Sequence, residues 1–451
     1  MARVYGYPPD HNAGSEWMLH SMLRPLAERG HRVEVWLSHP GKSEKAYDID
    51  GVRVVPFQQG LEFAARARTA DVLVSHYENV PLVAGLARDG RIPIVVICHD
   101  NFEGSFHNAA GADLVLYNSH WIRRDGDVFY ARYPQEFLPR RSIVVRPPVI
   151  AEEYRTQPGE CVTLVNLNAD KGGELFWQIA VWSPDWQFRG VRGAYGQQVM
   201  PPPRLPNCEV VDAVPGHRMR EHVYARSRVV LMPSLYESWG RVAVEAFASG
   251  IPVIAHPTPG LVEALGQAGI FAYRDDTNAW IDALNSLRDP DTWERASRRA
   301  RARSDELSAS GDLELWCQAV EELGEARSGG ASRGHTVAPA GATDGPASEG
   351  EDVPRAGSPA PGRHLRSAMK WMRGMFDNRR GPSRANGERR TERTGTIVPS
   401  ASASVHTAAR SDRSAEVTGE PARAAGTWDC AAQHRGAASD VVDLPGTDAM
   451  P

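Results

Sequence analysis

The chain has 451 residues, room for two or three domains, and 41% of them are hydrophobic, enough for substantial buried cores. The net charge of −5 is too small to indicate or exclude a nucleic-acid partner. Five scattered cysteines without Cys-x-x-Cys spacing argue against a zinc site and for a reducing compartment. The first residues lack the apolar core of a signal peptide, and the longest apolar run, 92–98, is too short to span a bilayer. We therefore expect a cytoplasmic protein.

Residues 1–150 alternate between apolar runs and helical patterns. The apolar runs predict strands at 3–7, 33–37, 52–55, 71–76, 94–98, 112–117 and 142–145. The first helical stretch carries apolar residues at Trp17, Leu19, Met22, Leu23 and Leu26. Near-continuous apolar strands separated by helices predict a parallel sheet covered on both faces. This half is therefore expected to form one Rossmann-like domain.

Two positions in this half lie where ligands of parallel sheets usually bind. Gly14 and Ser15 are in the loop before the first helix, and His99 directly follows the strand at 94–98. Ligands sit beyond the carboxyl ends of such strands, and a neutral imidazole can donate to or accept from a sugar hydroxyl. The alternatives are an ordinary turn glycine and a loop histidine without function. No histidine spacing suits a metal, so no metal site is expected.

A second series of strands and helices begins after the break at Pro147-Pro148. Strands are predicted at 162–165, 209–211, 228–232, 252–255 and 269–273, and helices at 174–181, 277–288 and 290–323. The loop after the first of these strands contains Lys171-Gly172-Gly173. A second Rossmann-like domain is therefore expected at 151–312.

The most informative stretch runs from Pro233 to Glu245. A strand ends at its start, a short loop carries Glu237, and Ser238 or Gly240 can open a helix. The free N–H groups and positive dipole end of that helix suit a diphosphate. The two glutamates would lie about 12 Å apart on a helix, too far for an acid/base pair but suited to hydroxyls on two parts of one ligand. A sugar, a diphosphate and a ribose in line describe a nucleotide-sugar.

With the segments Gly250-Ile251-Pro252-Val253-Ile254 and Pro259-Gly260-Leu261-Val262-Glu263, this stretch resembles the Glu-x7-Glu region of retaining GT-B glycosyltransferases, in particular family 4. The resemblance covers about residues 1–325 and is strongest over 229–269. It implies an α/β protein with the GT-B fold, in which two Rossmann-like domains, 1–150 and 151–312, face each other across a cleft. It also implies a last helix, 313–326, that crosses back to the first domain. The alternative is two surface glutamates flanking an ordinary helix.

The resemblance further implies roles for individual residues. Glu237 is expected to contact the donor sugar, with His99 reaching the same sugar, and Glu245 to contact the nucleotide ribose. The remaining donor-binding positions are the Gly14-Ser15 loop, Lys171, and the backbone of Ser238, Trp239, Gly240 and Arg241.

Residue 166 departs from the family pattern. The family places an arginine just after the strand and a lysine five residues later, both on the diphosphate. Lys171 matches the lysine, whereas Asn166 occupies the arginine position and removes one positive charge from the donor site. Arg192 and Arg241 are the candidates for a replacement cation.

The function implied by the resemblance is transfer of a sugar from a nucleotide-diphospho-sugar to an acceptor with retention of configuration. The leaving phosphate would act as the base in a front-face attack, and neither a metal nor another cofactor would be needed. One competing hypothesis is a nucleotide-sugar epimerase of the same fold. The other, motivated by Asn166, is a degenerate glycosyltransferase domain that serves as a binding module. The residues do not specify the donor base, the donor sugar or the acceptor, which can be a glycan, a lipid or another molecule.

Residues 327–451 are rich in Gly, Ala, Ser, Pro, Thr and Arg and poor in aromatics, which predicts a mostly disordered tail. Within it, 363–376 has the apolar spacing of an amphipathic helix, and ten Lys/Arg stand against three Asp/Glu between 363 and 393. Such a short helix needs an apolar partner, and an anionic membrane surface is one. Peripheral contact with the inner face of the membrane is thus one hypothesis. A nucleic-acid or protein partner and a solvated linker are the alternatives.

Overall fold

The computed structural model describes residues 1–11, 13–193 and 196–332. The described residues all belong to one compact unit. The predicted amphipathic helix at 363–376 and the rest of the predicted tail beyond 332 lie outside them.

The first sheet is built from the N-terminal part of the chain. Its strands, in chain order, are β1 (Ala2–Val4), β2 (Val33–Leu37), β3 (Tyr47–Ile49), β4 (Val52–Val55), β5 (Leu73–His76), β6 (Ile94–Cys98), β7 (Leu114–Tyr117) and β8 (Ser142–Val144). They lie in the order β3-β4-β2-β1-β5-β6-β7-β8, and every neighbouring pair is parallel except β3 and β4. The helices of this half are α1 (Gly14–Glu28), α2 (Phe63–Ala67), α3 (Val80–Gly90), α4 (Glu103–Asn108) and α5 (His120–Tyr130).

The second sheet is parallel throughout. Its strands are β9 (Cys161–Val165), β10 (Gln187–Val191), β11 (Cys208–Val211), β12 (Ser227–Met232), β13 (Val253–Ala255) and β14 (Ile270–Phe271), in the order β11-β10-β9-β12-β13-β14. The helices that follow β8 are α6 (Ala151–Tyr154), α7 (Gly173–Trp182), α8 (Met219–His222), α9 (Arg241–Ala248), α10 (Pro259–Leu265), α11 (Thr277–Ser286), α12 (Pro290–Glu306) and α13 (Ser310–Ser332).

The predicted α/β class with two mainly parallel sheets is confirmed. Strands β2, β6 and β7 are buried along their whole length, as strands covered by helices on both faces must be. Each half has buried apolar clusters on both sides of its sheet. The predicted division at residue 150 falls between the last strand of the first sheet and the first strand of the second.

Three expectations about secondary structure were wrong. Strands β3 and β10 were not predicted, because Tyr47–Ile49 is a short edge strand and Gln187–Val191 mixes polar residues and a glycine with apolar ones. The single helix expected at 290–323 is instead two helices, α12 and α13. The chain is buried in the core of the second half as far as Leu307 and enters the core of the first half at Trp316. Helix α13 also continues to Ser332, so 327–332 are helical although the composition predicted disorder.

Helix α13 packs against the first half of the chain, mainly against α1. Trp316 is fully buried in the same apolar cluster as Met22 and Val35, and its indole N–H donates to the carbonyl oxygen of Met22 at 2.8 Å. Arg146 binds Asp312 of the same helix at 2.6 Å. A segment that follows the second sheet in sequence thus completes the core of the first.

A carboxylate of the second half also caps a helix of the first. Helix α5 begins after Ser119, whose hydroxyl accepts a hydrogen bond from the backbone N–H of Ile122. The backbone N–H groups of His120 and Trp121 donate instead to the two carboxylate oxygens of Glu263 in α10, at 2.7 and 2.8 Å. The negative charge of Glu263 also lies at the positive end of the α5 dipole, which favours this docking of the two halves.

Within the described residues, no helix combines the length and the apolar character needed to cross a membrane.

Truncation of Trp316 tests the packing of α13. Replacement by alanine removes a fully buried indole and one buried hydrogen bond, so we expect a loss of about 3–5 kcal/mol in unfolding free energy. Urea denaturation followed by circular dichroism measures it. Leu315→Ala is the matched control, because Leu315 is exposed on the same helix and should change stability by no more than about 0.5 kcal/mol. Equal effects of the two substitutions would contradict the packing described here.

Candidate functional site

A cavity of about 520 Å³ lies where the carboxyl ends of the two sheets face each other. Every residue predicted to belong to the site lines it: Gly14, Ser15, His99, Asn166, Lys171, Glu237, Ser238, Trp239, Gly240, Arg241 and Glu245. Residues more than 150 positions apart in sequence, such as Gly14 and Lys171, thus border one space. The structure brings the predicted set together, whereas the role of each residue stays a prediction.

The two central predicted residues, Lys171 and Glu237, form an ion pair. The ammonium of Lys171 lies 2.5 Å from Oε1 of Glu237, and the hydroxyl of Ser234 donates to the same oxygen at 2.8 Å. Both side chains are largely buried, with 21% and 14% of their surfaces exposed. A buried pair of this kind fixes the direction of both groups, because leaving either charge unpaired is costly.

Arg274 ties together the two loops that carry this pair. Its guanidinium donates to the carbonyl oxygens of Ala169 and Pro233, both at 2.7 Å, and to that of Asp170 at 3.1 Å. The first loop follows β9 and holds Lys171, and the second follows β12 and holds Glu237. The planar fork of arginine can reach several carbonyl groups at once, which a lysine ammonium does less well. Sequence reasoning missed Arg274, because it lies about forty residues from the motif it supports.

The turn after Glu237 needs glycine at two positions. Gly240 has φ +97°, a left-handed conformation that a side chain would strain, and directly precedes α9. Gly260 lies against the backbone of this turn, since an added Cβ would come within 2.2 Å of the carbonyl oxygen of Glu237. Helix α9 therefore begins at Arg241, later than an opening at Ser238 would require, and its N-terminal N–H groups border the cavity.

Glu245 and Arg241 form a second buried ion pair. The guanidinium of Arg241 donates to Glu245 at 2.6 Å, to the carbonyl oxygen of Pro148 at 2.6 Å and to the hydroxyl of Tyr154 at 2.9 Å. The hydroxyl of Tyr224 donates to the other oxygen of Glu245 at 2.5 Å, and burial holds the pKa of Tyr224 well above its usual value. Three of the five guanidinium N–H groups of Arg241 are thus engaged within the protein, and its role as a replacement for the missing arginine stays a prediction.

Asn166 has a structural reason to be an asparagine. It lies directly after β9 with φ +70°, a conformation that asparagine tolerates better than arginine does. Its side-chain oxygen accepts hydrogen bonds from the amide of Gln198 at 3.1 Å and from the backbone N–H of Asn168 at 3.3 Å. Arg192 follows the adjacent strand β10, lines the cavity and is 3.7 Å from Asp212. Both candidates for a replacement cation line the cavity, but Arg241 makes three hydrogen bonds within the protein, whereas the side chain of Arg192 makes only the longer ion pair with Asp212 among the contacts described here.

His99 is part of a buried pair of histidines. Its Nε2 lies 2.8 Å from Nδ1 of His76, and its ring stacks on Tyr77. Burial, reinforced by the neighbouring His76, holds the pKa of His99 well below its ordinary value. The imidazole at the cavity wall is therefore neutral, able to donate from one ring nitrogen and accept at the other.

Glu16 is a buried carboxylate that sequence reasoning missed. Burial alone would raise its pKa, but hydrogen bonds and charge from His11, with help from His76 and Ser15, lower it to about 2. The hydroxyl of Ser15 donates to Glu16 at 2.8 Å. Gly14 and Ser15 are the first two residues of α1, so their predicted place in the loop before this helix was wrong. At Gly14 itself, an added Cβ would meet no atom within 4 Å.

Among the described residues, no group of three or more His, Cys, Asp or Glu side chains is placed to hold a metal ion. The charged groups of the cavity are instead arranged as the two ion pairs above, together with Arg192, Asp100 and Asp170.

Comparison with known proteins agrees with this geometry. Residues 13–145 match the family described as Glycosyltransferase Family 4, and residues 194–289 match the one described as Glycosyl transferases group 1. The chain is a GT-B protein of the glycosyltransferase family 4 type. The first match lies within the half that holds the first sheet and the second within the half that holds Glu237 and Glu245. The predicted resemblance is therefore confirmed.

Curated relatives match the chain over part of its length. The D-inositol 3-phosphate glycosyltransferase of Nocardia farcinica is 31% identical over 244 residues, which is 49% of each chain. The O-antigen chain mannosyltransferase B of Escherichia coli is 38% identical over 90 residues, 19% of this chain and 23% of the relative. The chain thus spans about half or less of the length of these relatives.

Solved structures show the same fold at low sequence identity. Sucrose-phosphate synthase from Thermosynechococcus elongatus has a TM-score of 0.57 and 16% identity, covering 72% of this chain and 99% of its own. Anabaena Alr3699/HepE, solved in complex with UDP-glucose, has a TM-score of 0.56 and 18% identity, covering 71% and 100%. These likenesses confirm the expected GT-B architecture.

Arg274→Ala should weaken nucleotide binding about tenfold, because three carbonyl groups lose a charged donor and the loops of Lys171 and Glu237 lose their connection. Arg274→Lys should recover only part of the loss, since it keeps the charge but not the fork. Calorimetric titration with UDP, GDP and ADP measures both. Arg288→Ala, which removes an exposed pair with Asp185, is the control. Full recovery by lysine would show that only the charge of Arg274 matters.

His99 should remain neutral at the pH where an exposed histidine becomes charged, about 6.5. Histidine-selective NMR should find no protonation of this ring as the pH is lowered through that value. The His99→Gln variant identifies the signal. Titration of His99 near the ordinary value would contradict the burial and the His76 contact described here.

Proposed function

We propose that the protein transfers a sugar from a nucleotide-diphospho-sugar to an acceptor with retention of configuration. The observation that carries this proposal is the ion pair of Lys171 and Glu237 in a cavity that also contains the N-terminus of α9 and the carboxylate of Glu245. A cation, a helix N-terminus and two separated carboxylates are what a sugar, a diphosphate and a ribose require. The curated relatives named above are glycosyltransferases, which favours transfer over epimerisation.

In this proposal the diphosphate lies between Lys171 and the first N–H groups of α9. The N-terminal end of the α9 dipole and an ammonium would stabilise the charge that develops on the leaving phosphate. Arg192, at the end of the adjacent strand, supplies the second positive charge that Asn166 does not. These groups come from the protein itself, so we also propose that neither a metal nor another cofactor takes part.

Glu237 would bind hydroxyl groups of the donor sugar rather than attack its anomeric carbon. One of its oxygens already accepts hydrogen bonds from Lys171 and Ser234, and a carboxylate in such a pair is a weak nucleophile. Attack by the acceptor on the face of the leaving group, with a phosphate oxygen as base, would retain configuration. Glu245 would accept a ribose hydroxyl, since two carboxylate oxygens offer about four acceptor sites and Arg241 and Tyr224 use two of them.

Two further parts of the proposal rest on the sequence. The cysteines of the described residues are free thiols, in keeping with a cytoplasmic location. Contact with a membrane or, less favoured, with a nucleic acid would involve 363–376 and the basic residues after it, and flotation of a 355–395 peptide on anionic vesicles is the measurement for it.

A donor screen is the test of the proposed function. Each nucleotide-sugar is offered with cell extract as the source of acceptor, release of nucleotide is measured, and the product is characterised by mass spectrometry and by NMR of its anomeric centre. We expect one donor class to be consumed, the product to keep the donor configuration, and EDTA to leave the rate unchanged.

Glu237→Gln and Lys171→Met should each lower kcat by about 10²–10³, because each leaves its partner unpaired beside the reacting centre. Glu209→Gln is the control, since Glu209 pairs with Arg189 outside the cavity. Nucleotide binding without turnover of any donor would favour a binding module, and turnover that needs no acceptor and changes only the sugar would favour an epimerase.

A further inference from the structure

The two sides of the cavity differ in charge. Its lining cations, Lys171, Arg192 and Arg241, all belong to the half of the chain that carries the second sheet. On the opposite side the charged group is Asp100, which follows His99 and is 6% exposed. His99 beside it is neutral, for the reasons given above. An anionic group bound on the side of the first sheet would therefore face a carboxylate.

Aromatic and apolar side chains from both halves of the chain stand at the edge of the cavity. Phe102 is 56% exposed, Tyr236 is 36% exposed, and their rings stack with centroids 5.9 Å apart. Trp121 lies 5.8 Å from the ring of Tyr236, and the neighbouring Leu235 is 57% exposed. Phe102 and Tyr236 both line the cavity, and Tyr236 directly precedes Glu237 in the sequence.

Contacts across the cleft hold this aromatic group in place. The hydroxyl of Tyr236 donates to the side-chain oxygen of Asn101 at 3.2 Å and accepts from the Asn101 backbone N–H at 3.3 Å. The amide of Asn118 donates to the hydroxyl of Ser238 at 2.7 Å. The rings thus form a surface shared by both halves, next to the carboxylate assigned to the donor sugar.

The aromatic rings and the polar groups beside them suit a sugar ring better than a phosphate. Aromatic faces carry partial negative charge and attract the weakly positive C–H groups on one face of a sugar ring, and a few polar groups then fix its orientation. Asp100 and His99 are suited to accept from or donate to sugar hydroxyls. A phosphate in the same place would face the carboxylate of Asp100.

Resting on the proposed function, we infer that the acceptor is an uncharged carbohydrate whose ring stacks on Phe102 and Tyr236 and whose hydroxyls bind Asp100 and His99. The acceptor thus differs in charge from the phosphorylated inositol in the name of the Nocardia farcinica relative.

The test uses the full chain, the donor that it consumes, and matched acceptors with and without phosphate. The probes are p-nitrophenyl glycosides and myo-inositol as neutral acceptors, and sugar phosphates and D-myo-inositol 3-phosphate as charged ones. We expect acceptor-dependent nucleotide release with at least one neutral probe and kcat/KM at least about tenfold lower for its phosphorylated counterpart. A preference for phosphorylated acceptors, or release with none of the neutral ones, would overturn the inference.

Substitutions in this surface test whether the acceptor binds there. Phe102→Ala and Tyr236→Ala should raise the acceptor KM about tenfold and leave the donor KM unchanged. Asp100→Asn should reduce discrimination against phosphate about tenfold. Trp182→Ala removes an aromatic ring that is 71% exposed outside this cavity and is the control. Equal acceptor KM values for Phe102→Ala, Tyr236→Ala and this control would contradict the stacking surface.

The inference can fail separately from the proposed function. Acceptor-independent hydrolysis of a nucleotide-sugar, lost in Glu237→Gln, tests the donor chemistry alone. Saturation-transfer NMR with the neutral glycosides measures acceptor binding independently of turnover. If donor hydrolysis occurs but no neutral glycoside gives a signal that Phe102→Ala reduces, the donor assignment stands and the acceptor inference is wrong.

Discussion

The hydrogen-bonded pairing of β9 with β12 is the constraint on which the site depends. These strands are neighbours in the second sheet although 61 residues separate their ends, Val165 and Ser227. Because they are parallel, both loops emerge at the same edge, and Lys171 on one meets Glu237 on the other. Arg274 and the close approach of Gly172 to Pro233 then hold the loops at a fixed separation. The geometry of the ion pair is therefore a property of the sheet, transmitted through two short loops.

The charged side chains in and beside the site are largely buried, and the protein offsets their desolvation cost by pairing them. Glu245 has Arg241 and Tyr224, Glu16 has His11 and Ser15, and Glu237 has Lys171 and Ser234. Such pairs contribute little net stability, since desolvation cancels most of the attraction. Their consequence is that each carboxylate has one orientation, which a ligand with hydroxyl groups at fixed positions needs.

The sequence could predict those parts of the structure that local patterns encode. Continuous apolar runs identified most strands, and the spacing around Glu237 and Glu245 identified the helix and loop of the site. Strand β10 was not predicted, because Gln187 and Arg189 interrupt its apolar pattern. Its pairing with β9 and β11 makes it a strand. The Arg274 bridge, the Glu263 cap and the histidine pair join residues far apart in sequence, and no local signal marks such contacts. Asn166 was recognisable as a departure, but its left-handed backbone conformation and its bond to Gln198 explain it only once the fold is known.

The same contacts that dock the two halves also determine what the cleft can bind. Glu263 uses its carboxylate on the N-terminus of α5, so that charge is directed at a helix end and not into the cavity. Asn118 and Asn101 bind Ser238 and Tyr236 through neutral groups, which brings the first sheet up to the loop that carries Glu237 without adding a cation there. The positive charge that a diphosphate needs therefore stays on the side of β9, β10 and α9, and the opposite side presents a carboxylate, a neutral imidazole and aromatic rings. Under the proposed function, a cleft divided in this way would hold a charged donor on one wall and favour a neutral partner on the other, because a second anion would be repelled by Asp100 and by the donor itself.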